Sequence, residues 1–336
     1  MTELACFKAY DLRGRVPDEL NEDIAYRVGR AFVEFTCAKR VVVGHDIRLS
    51  SPDICEAVIE GLRDQGAETY HIGECGTEEI YFSTSYFNMD GGIMVTASHN
   101  PKNYNGMKLV REEAKPVSRD SGLHEIERLV RRNAFRSPRL RGAINILDHR
   151  VSYIKRLLEY IEPGKISPLR VVVNAGNGGA GAVIDRIEQY IPCEMIKIHH
   201  KSDGNFPNGV PNPLLIENRF TTTEAIKKYK ADLGLAWDGD FDRCFFFDSE
   251  GRFIEGYYIV GLLTQFFLEK KSNITIVHDP RLIWNTKNII DSFGGVAIQS
   301  KAGHSFIKER MRNEMAVYGG EMSAHHYFKD FSYSDS

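Results

Sequence analysis

"RVVVGHDIRLSSPDICEAVIEGLRDQGAETYHIG", Arg40 to Gly73, decides the fold. The β-branched run "RVVVGHD" reads as a strand. "SSPD" then opens a helix, with Ser51 able to cap and Pro52 suited to the first turn, that runs to about Gln65 and stops at Gly66. "ETYHIG", Glu68 to Gly73, is a second strand. A strand, a crossover helix and a strand in immediate succession point to an α/β layer with a largely parallel sheet.

The pattern extends in both directions. Upstream, Ile24, Val28, Ala31, Phe32 and Phe35 recur at helical spacing behind Asn21, a ready N-cap. Downstream come a helix over Thr77 to Phe87 and the strand "GGIMVTA", Gly91 to Ala97. The alternation restarts with "LRVVVNA" (Leu169 to Ala175) ahead of a glycine-rich stretch, and again with the helix "YYIVGLLTQFFLE" and the strand "ITIVHD" (Ile274 to Asp279). The expected fold is therefore α/β, with three consecutive units of mixed, largely parallel sheets over residues 1–146, 147–250 and 251–336. An Arg/Pro stretch and the turn "DSEGRF" mark the two breaks.

Composition narrows the function. With 336 residues, 42% of them hydrophobic, the chain can bury several cores. A net charge of −3 gives no reason to expect nucleic acid or a membrane as partner. The arginine-rich "RLVRRNAFRSPRLRG", Arg128 to Gly142, comes with no aromatic stacking residues and reads as a solvated helix end and connector. The start of the chain has no basic segment leading into an apolar one, so no signal peptide is expected. Gly256 to Leu268 is too short to span a bilayer and reads as a buried helix. Six cysteines without a CxxC pair suit reduced, mostly buried thiols and a cytoplasmic home.

Ligands of open α/β sheets bind at strand ends, which makes the loops there the places to search. In "VTASHNP", Val95 to Pro101, Ser98 follows an apolar strand directly, beside His99, with Asn100-Pro101 enforcing a turn; "YNGMK" then supplies Lys108. No GxSxG elbow surrounds the serine, which argues against an α/β hydrolase. "GLAWDGDFDRC" places Asp238, Asp240 and Asp242 on one loop, closed by Arg243. Carboxylates this close repel, and hard oxygen donors favour Mg²⁺ over zinc as the relieving cation. An EF-hand needs Gly and Glu where Arg243 and Ser249 stand, so a calcium loop is excluded. A dehalogenase-type phosphatase with Asp238 as nucleophile is the alternative reading of the same loop. "GGEMSAHHYF", Gly319 to Phe328, offers Glu321, Ser323, His325 and His326 without a zinc pattern. "CFKAYDLRGRVP" holds Arg13, a candidate phosphate ligand, in a loop ahead of the first helix.

Together "KAYDLRG", "TASHNP", "YNGMKLV", "DGDFDRC" and "GGEMSAHHYF" resemble, in order and spacing, the α-D-phosphohexomutases, in their bacterial phosphomannomutase/phosphoglucomutase branch. The resemblance implies that Ser98 carries a phosphoryl group beside Mg²⁺, with Asp238, Asp240, Asp242 and the phosphoserine as ligands. Arg13 and Arg243 match its phosphate-facing arginines; Lys108 and His99 match the residues beside the nucleophile, for proton transfer and orientation. Glu321 and Ser323 match its sugar-binding loop, with His304, His325 and Arg281 joining the substrate pocket. The implied reaction interconverts mannose 6-phosphate and mannose 1-phosphate through a hexose 1,6-bisphosphate, which also serves as activator. The resemblance also implies a fourth, C-terminal domain whose Ser/Thr-rich loop clamps the distal phosphate. No such stretch precedes Ser336, so the expectation is a chain without that domain, with a binding fragment that does not turn over as the alternative. Oligomeric state is not written in these motifs.

Overall fold

The computed structural model describes residues 4–136 and 138–336, so the sequence readings at Met1–Glu3 and at Ser137 fall outside the described residues. The chain divides into two compact units. One runs to Tyr153 and takes in Asp203–Phe206; the other comprises Ile154–Ser202 and Pro207–Ser336.

In the first unit the elements are β1 (Leu12–Arg15), α1 (Glu22–Thr36), β2 (Arg40–His45), α2 (Ser51–Asp64), β3 (Glu68–Glu74), α3 (Thr77–Tyr86), β4 (Gly91–Val95), β5 (Tyr104–Arg111), α4 (Leu123–Arg132) and β6 (Ile144–Ile146). They form one six-stranded sheet in the order β1-β5-β4-β2-β3-β6. Every residue of β4 is buried, which explains its unbroken apolar sequence: both faces of the sheet are covered. Asn21 caps α1 by accepting the Ile24 N–H at 3.0 Å. Helices α1 and α2 meet backbone to backbone at Gly29 and Gly61, where an added Cβ would lie 2.4 Å from the Val58 carbonyl and 2.0 Å from that of Tyr26.

Two expectations are corrected here. Arg13 lies on strand β1, opposite Gly106 of β5, and not in a loop; β1 is too short and too polar to show a period of its own. Ser51 begins α2 without capping it, because its hydroxyl donates to Asp46 Oδ1.

The second unit begins within α5 (Arg150–Leu158) and holds two sheets. The first contains β7 (Arg170–Asn174), α6 (Ala180–Ile187), β8 (Glu194–Ile198), α7 (Phe220–Tyr229), β9 (Leu233–Trp237), β10 (Cys244–Phe247) and β11 (Phe253–Ile254), in the order β11-β10-β9-β7-β8. The second contains α8 (Gly256–Lys270), β12 (Thr275–His278), α9 (Trp284–Ser292), β13 (Val296–Gln299), α10 (His304–Asn313), β14 (Tyr318–Gly320), β15 (His326–Phe328) and β16 (Ser334–Asp335), in the order β13-β12-β14-β15-β16. Helix α8 buries only one face. Tyr258, Leu262 and Phe266, spaced four apart, are 53%, 61% and 45% exposed, against the expectation of a buried helix. Among the described residues no helix is long and apolar enough to cross a membrane. All six cysteines are free thiols, three of them buried.

The three sheets share one plan. In each, a central strand (β2, β7 or β12) runs parallel to a neighbour (β4, β9 or β14) that is covered on its far side by an antiparallel return strand (β5, β10 or β15). Each central strand ends in the same local turn, a side-chain oxygen accepting the N–H two residues on: Asp46 from Arg48, Asn174 from Gly176 and Asp279 from Arg281. The loops rich in chemistry leave the neighbouring strands, so Ser98 follows β4, Asp238 follows β9 and Glu321 follows β14.

Candidate active site

Ser98 stands three residues beyond β4 with φ 48°, in the left-handed region that costs an L-residue roughly 1–2 kcal/mol. The surrounding hydrogen bonds sustain it. Its N–H donates to Thr96 Oγ1 at 2.9 Å, and that hydroxyl donates in turn to Asp46 Oδ2 at 2.6 Å. The residue is 3% exposed, with Oγ 3.0 Å from Nδ1 of the exposed His99. Arg13 reaches the same loop, donating from Nη1 to Asn100 Oδ1 at 3.1 Å while Nε donates to Asp11 at 2.9 Å. Lys108, on β5 opposite Met94, is 5% exposed and donates to Thr77 Oγ1 at 3.1 Å.

The aspartates lie in the second unit. Asp238, Asp240 and Asp242 are 0%, 0% and 2% exposed, and one carboxylate oxygen from each lies within 4.8 Å of the other two. The loop turns at Phe241, held at φ 45°. Its backbone rests on the glycine-rich loop after β7, where the Gly179 N–H donates to the Gly239 carbonyl at 3.2 Å and a Cβ on Gly178 would come within 2.8 Å of that oxygen. Arg243, expected to face phosphate, is 3% exposed and lies on Asp238, with Nε and Nη2 3.0 and 2.6 Å from Oδ2. Burial opposes its charge, but Asp238 and Asp242 outweigh burial and hold the guanidinium above its ordinary pKa. One guanidinium offsets one of three carboxylates, and a compact dication with oxygen ligands suits the charge that remains.

The third loop belongs to the same unit. Glu321, 2% exposed, accepts the Gly303 N–H at 2.8 Å and the Tyr327 hydroxyl. Arg281 bonds to Asp279 and reaches to 3.6 Å from Glu321, leaving 40% of its side chain exposed. Ser323 is half-buried at the turn, next to Ala324 at φ 69°. His304, also half-buried, opens α10 directly after Gly303. His325 Nδ1 lies 3.2 Å from Asp335, which is paired with the fully buried Lys308, and one atom each of His325, Asp335 and Asp242 falls within a 4.8 Å cluster. Burial pulls the His325 pKa down, but Asp242 and Asp335 prevail and raise it above its ordinary value.

The structure thus gathers Ser98, His99 and Arg13 around one loop of the first unit, and brings the Asp242 end of the aspartate loop to His325 of the Glu321 loop in the second. Asp46, Arg48, Lys308 and Asp335 complete these surroundings and escaped the sequence reading, while Thr96 was visible there only as a neighbour of Ser98. A usable signal was the repeat of His-Asp-x-Arg at two strand ends, His45 to Arg48 and His278 to Arg281.

Three consecutive family descriptions match the chain: phosphoglucomutase/phosphomannomutase alpha/beta/alpha domain I over residues 5–137, domain II over 151–251 and domain III over 255–336. A phosphomannomutase of Vibrio cholerae is 55% identical across 100% of this chain and 75% of its own length. Phosphohexose mutases of Xanthomonas campestris are 55% identical across 99% of the chain and 74% of theirs. Among solved structures, a phosphoglucomutase/phosphomannomutase family protein of Burkholderia thailandensis superposes with a TM-score of 0.93 at 32% identity, covering 100% of this chain and 74% of that one. With the Ser98 loop, the aspartate loop and the Glu321 loop each following the equivalent strand of its sheet, and with all three domain descriptions matched in order, this chain belongs to the phosphoglucomutase/phosphomannomutase family.

Proposed function

We propose that the chain acts as a phosphomannomutase, converting mannose 6-phosphate and mannose 1-phosphate into one another, with glucose phosphates as related substrates. The observation that carries the reading is the strained, buried Ser98 at the end of β4, beside His99, in a chain that also builds three buried carboxylates into one small cluster. Phosphorylated Ser98 gives its phosphoryl group to the free hydroxyl of a hexose monophosphate: the P–O bond to Ser98 breaks and a P–O bond to the sugar forms. Lys108, as the neutral amine, receives the hydroxyl proton and becomes the ammonium. The resulting hexose 1,6-bisphosphate turns over, and Ser98 Oγ takes the other phosphoryl group as the proton returns. Free hexose 1,6-bisphosphate recharges an enzyme that has lost its phosphoryl group. Arg13 binds phosphate, His99 orients Ser98, and Glu321, Ser323, His304, His325 and Arg281 hold the sugar phosphate.

Asp238, Asp240 and Asp242 would hold Mg²⁺ together with a phosphoserine oxygen. When bound, that ion supplies charge stabilisation for the transferring phosphoryl group. Arg243 contributes by fixing Asp238, and turning it to a substrate phosphate would require breaking that ion pair. The same pair disfavours Asp238 as a phosphatase nucleophile, because Oδ2 accepts two guanidinium N–H groups and Oδ1 accepts the Arg243 backbone N–H at 3.3 Å. The free thiols fit a reducing compartment, the cytoplasm. The test is Ser98→Ala in an assay that couples formation of mannose 1-phosphate from mannose 6-phosphate. No conversion is expected, and activity retained in that variant overturns the assignment.

A further inference from the structure

The Ser98 loop needs a support that the reaction itself does not name. Arg48, which follows β2, is 1% exposed and turns its guanidinium inward onto backbone. Its guanidinium donates to four backbone carbonyls of the segment that follows β4: Nη2 to Ser98 at 2.8 Å and Asn100 at 2.6 Å, Nη1 to Pro101 at 2.7 Å and Tyr104 at 3.0 Å. Nε lies 3.3 Å from Asp46 Oδ2, and Asp46 also receives the Thr96 hydroxyl, which holds the Ser98 N–H. The ring of Phe206 covers the guanidinium at 5.3 Å, seated by Gly204, where a Cβ would lie 2.3 Å from the Ile47 carbonyl. Burying a cation is costly without partners, and this one is supplied with a carboxylate and four oxygens from a single loop.

The third sheet repeats the device. Asp279 and Arg281 take the place of Asp46 and Arg48 after the central strand, and Asp279 again grips the loop of the neighbouring strand, accepting the Met322 N–H at 3.0 Å. There the arginine stays 40% exposed. The same strand-end motif therefore serves two arginines differently, one turned outward beside the sugar-type loop and one turned inward onto the backbone that carries the serine.

We infer that Arg48 is a positioning residue, whose guanidinium fixes the backbone from Ser98 to Tyr104 and thereby aims Ser98 Oγ for phosphoryl transfer. The inference rests on the reading of Ser98 as phosphoryl carrier. Lysine keeps a cation beside Asp46 but has no planar fork for carbonyls on two sides, so Arg48→Lys separates charge from geometry. The experiment compares wild type, Arg48→Lys and Arg48→Gly, the last with and without added guanidinium chloride. It measures kcat and KM for mannose 6-phosphate, thermal melting, and hydrogen exchange at the amides of residues 98–104.

Arg48→Lys is expected to melt as a folded protein with KM unchanged and kcat lower by roughly 100-fold, the scale that a misplacement of about 1 Å produces. Arg48→Gly behaves alike and regains part of its kcat with guanidinium. Exchange in the loop accelerates by roughly tenfold, the equivalent of about one lost hydrogen bond. An Arg48→Lys enzyme with wild-type kcat and wild-type exchange overturns the inference. So does a loss confined to KM, which would make Arg48 a substrate ligand, or a failure of Arg48→Lys to fold, which would make it structural only. Because hydrogen exchange requires no turnover, a wild type that never carries phosphate on Ser98 defeats the functional reading separately, while faster exchange in the variant still upholds the clamp.

Discussion

Ser98, the proposed phosphoryl carrier, illustrates how little of such a role lies in the side chain. A serine hydroxyl is a weak nucleophile, and this one is held in left-handed backbone by Thr96, Asp46 and Arg48, whose hydrogen bonds offset the conformational cost. The sequence could flag Ser98, His99 and the three aspartates because their types and crowding are unusual. The His-Asp-x-Arg repeat could mark Arg48 but not its role, since an arginine after a strand ordinarily sits in solvent; only the fold supplies the four carbonyls, some fifty residues away, that bury it. Arg13 was legible as a candidate but not as a strand residue. At this scale Asp240→Asn is expected to lower Mg²⁺ affinity, measured by titration calorimetry, by more than the roughly 10–100-fold typical of losing an outer partner of a metal site. Unchanged affinity would show that the cluster is not the ion's site.

The legible elements are those whose pattern is local. Helix α1 announces itself through Asn21 and a 3.6-residue period, and β4 through an apolar run buried on both faces. Strands β1, β15 and β16 do not, because they are two to four residues long and exist only through hydrogen bonds to longer neighbours. Helix packing brings a further prediction. Alanine is about 1 kcal/mol better than glycine inside a helix, but a Cβ at Gly61 would meet the Tyr26 carbonyl at 2.0 Å. Overpacking of this kind costs typically 1–3 kcal/mol, so Gly61→Ala should destabilise in a denaturant titration even though it improves the isolated helix.

The third sheet carries a pH dependence. His326, at the start of β15, accepts or donates through Nδ1 with the Tyr318 hydroxyl at 2.7 Å, and burial followed by the charge of His325 pushes its pKa down to about 3. Burial holds the tyrosine well above its usual range, so its hydroxyl stays protonated, and burial keeps the imidazole neutral. The folded value lies below the unfolded one near 6.5. The stability from the neutral ring is therefore fully present above pH 6.5 and is lost as pH falls toward 3, at up to about 1.4 kcal/mol per pH unit. His326→Asn, which does not titrate, should show a shallower loss of stability over that window in urea unfolding at stepped pH.

At the scale of the molecule, the three sheets use one arrangement, a central strand ending in an Asx-type turn beside a strand with a polar loop, and fill it with three different sets of groups: a serine, a carboxylate cluster and the Glu321 loop. The alternation of strands and helices made the three α/β layers readable in advance. The meeting of the second and third sheets' loops was not, since it depends on contacts such as His325 with Asp242 between residues more than eighty positions apart. An ion bound only by the folded cluster stabilises by mass action, so Mg²⁺ at one hundred times its dissociation constant should add about 2.7 kcal/mol to unfolding, and this increment should vanish in Asp240→Asn.

The most direct test of the central claim is to incubate the protein with glucose 1,6-bisphosphate labelled in its phosphates, with and without Mg²⁺, and to map the label by mass spectrometry. The account predicts label on Ser98, dependent on Mg²⁺ and absent in Asp240→Asn. Label on Asp238, or label on Ser98 that ignores both the ion and the aspartates, would contradict it.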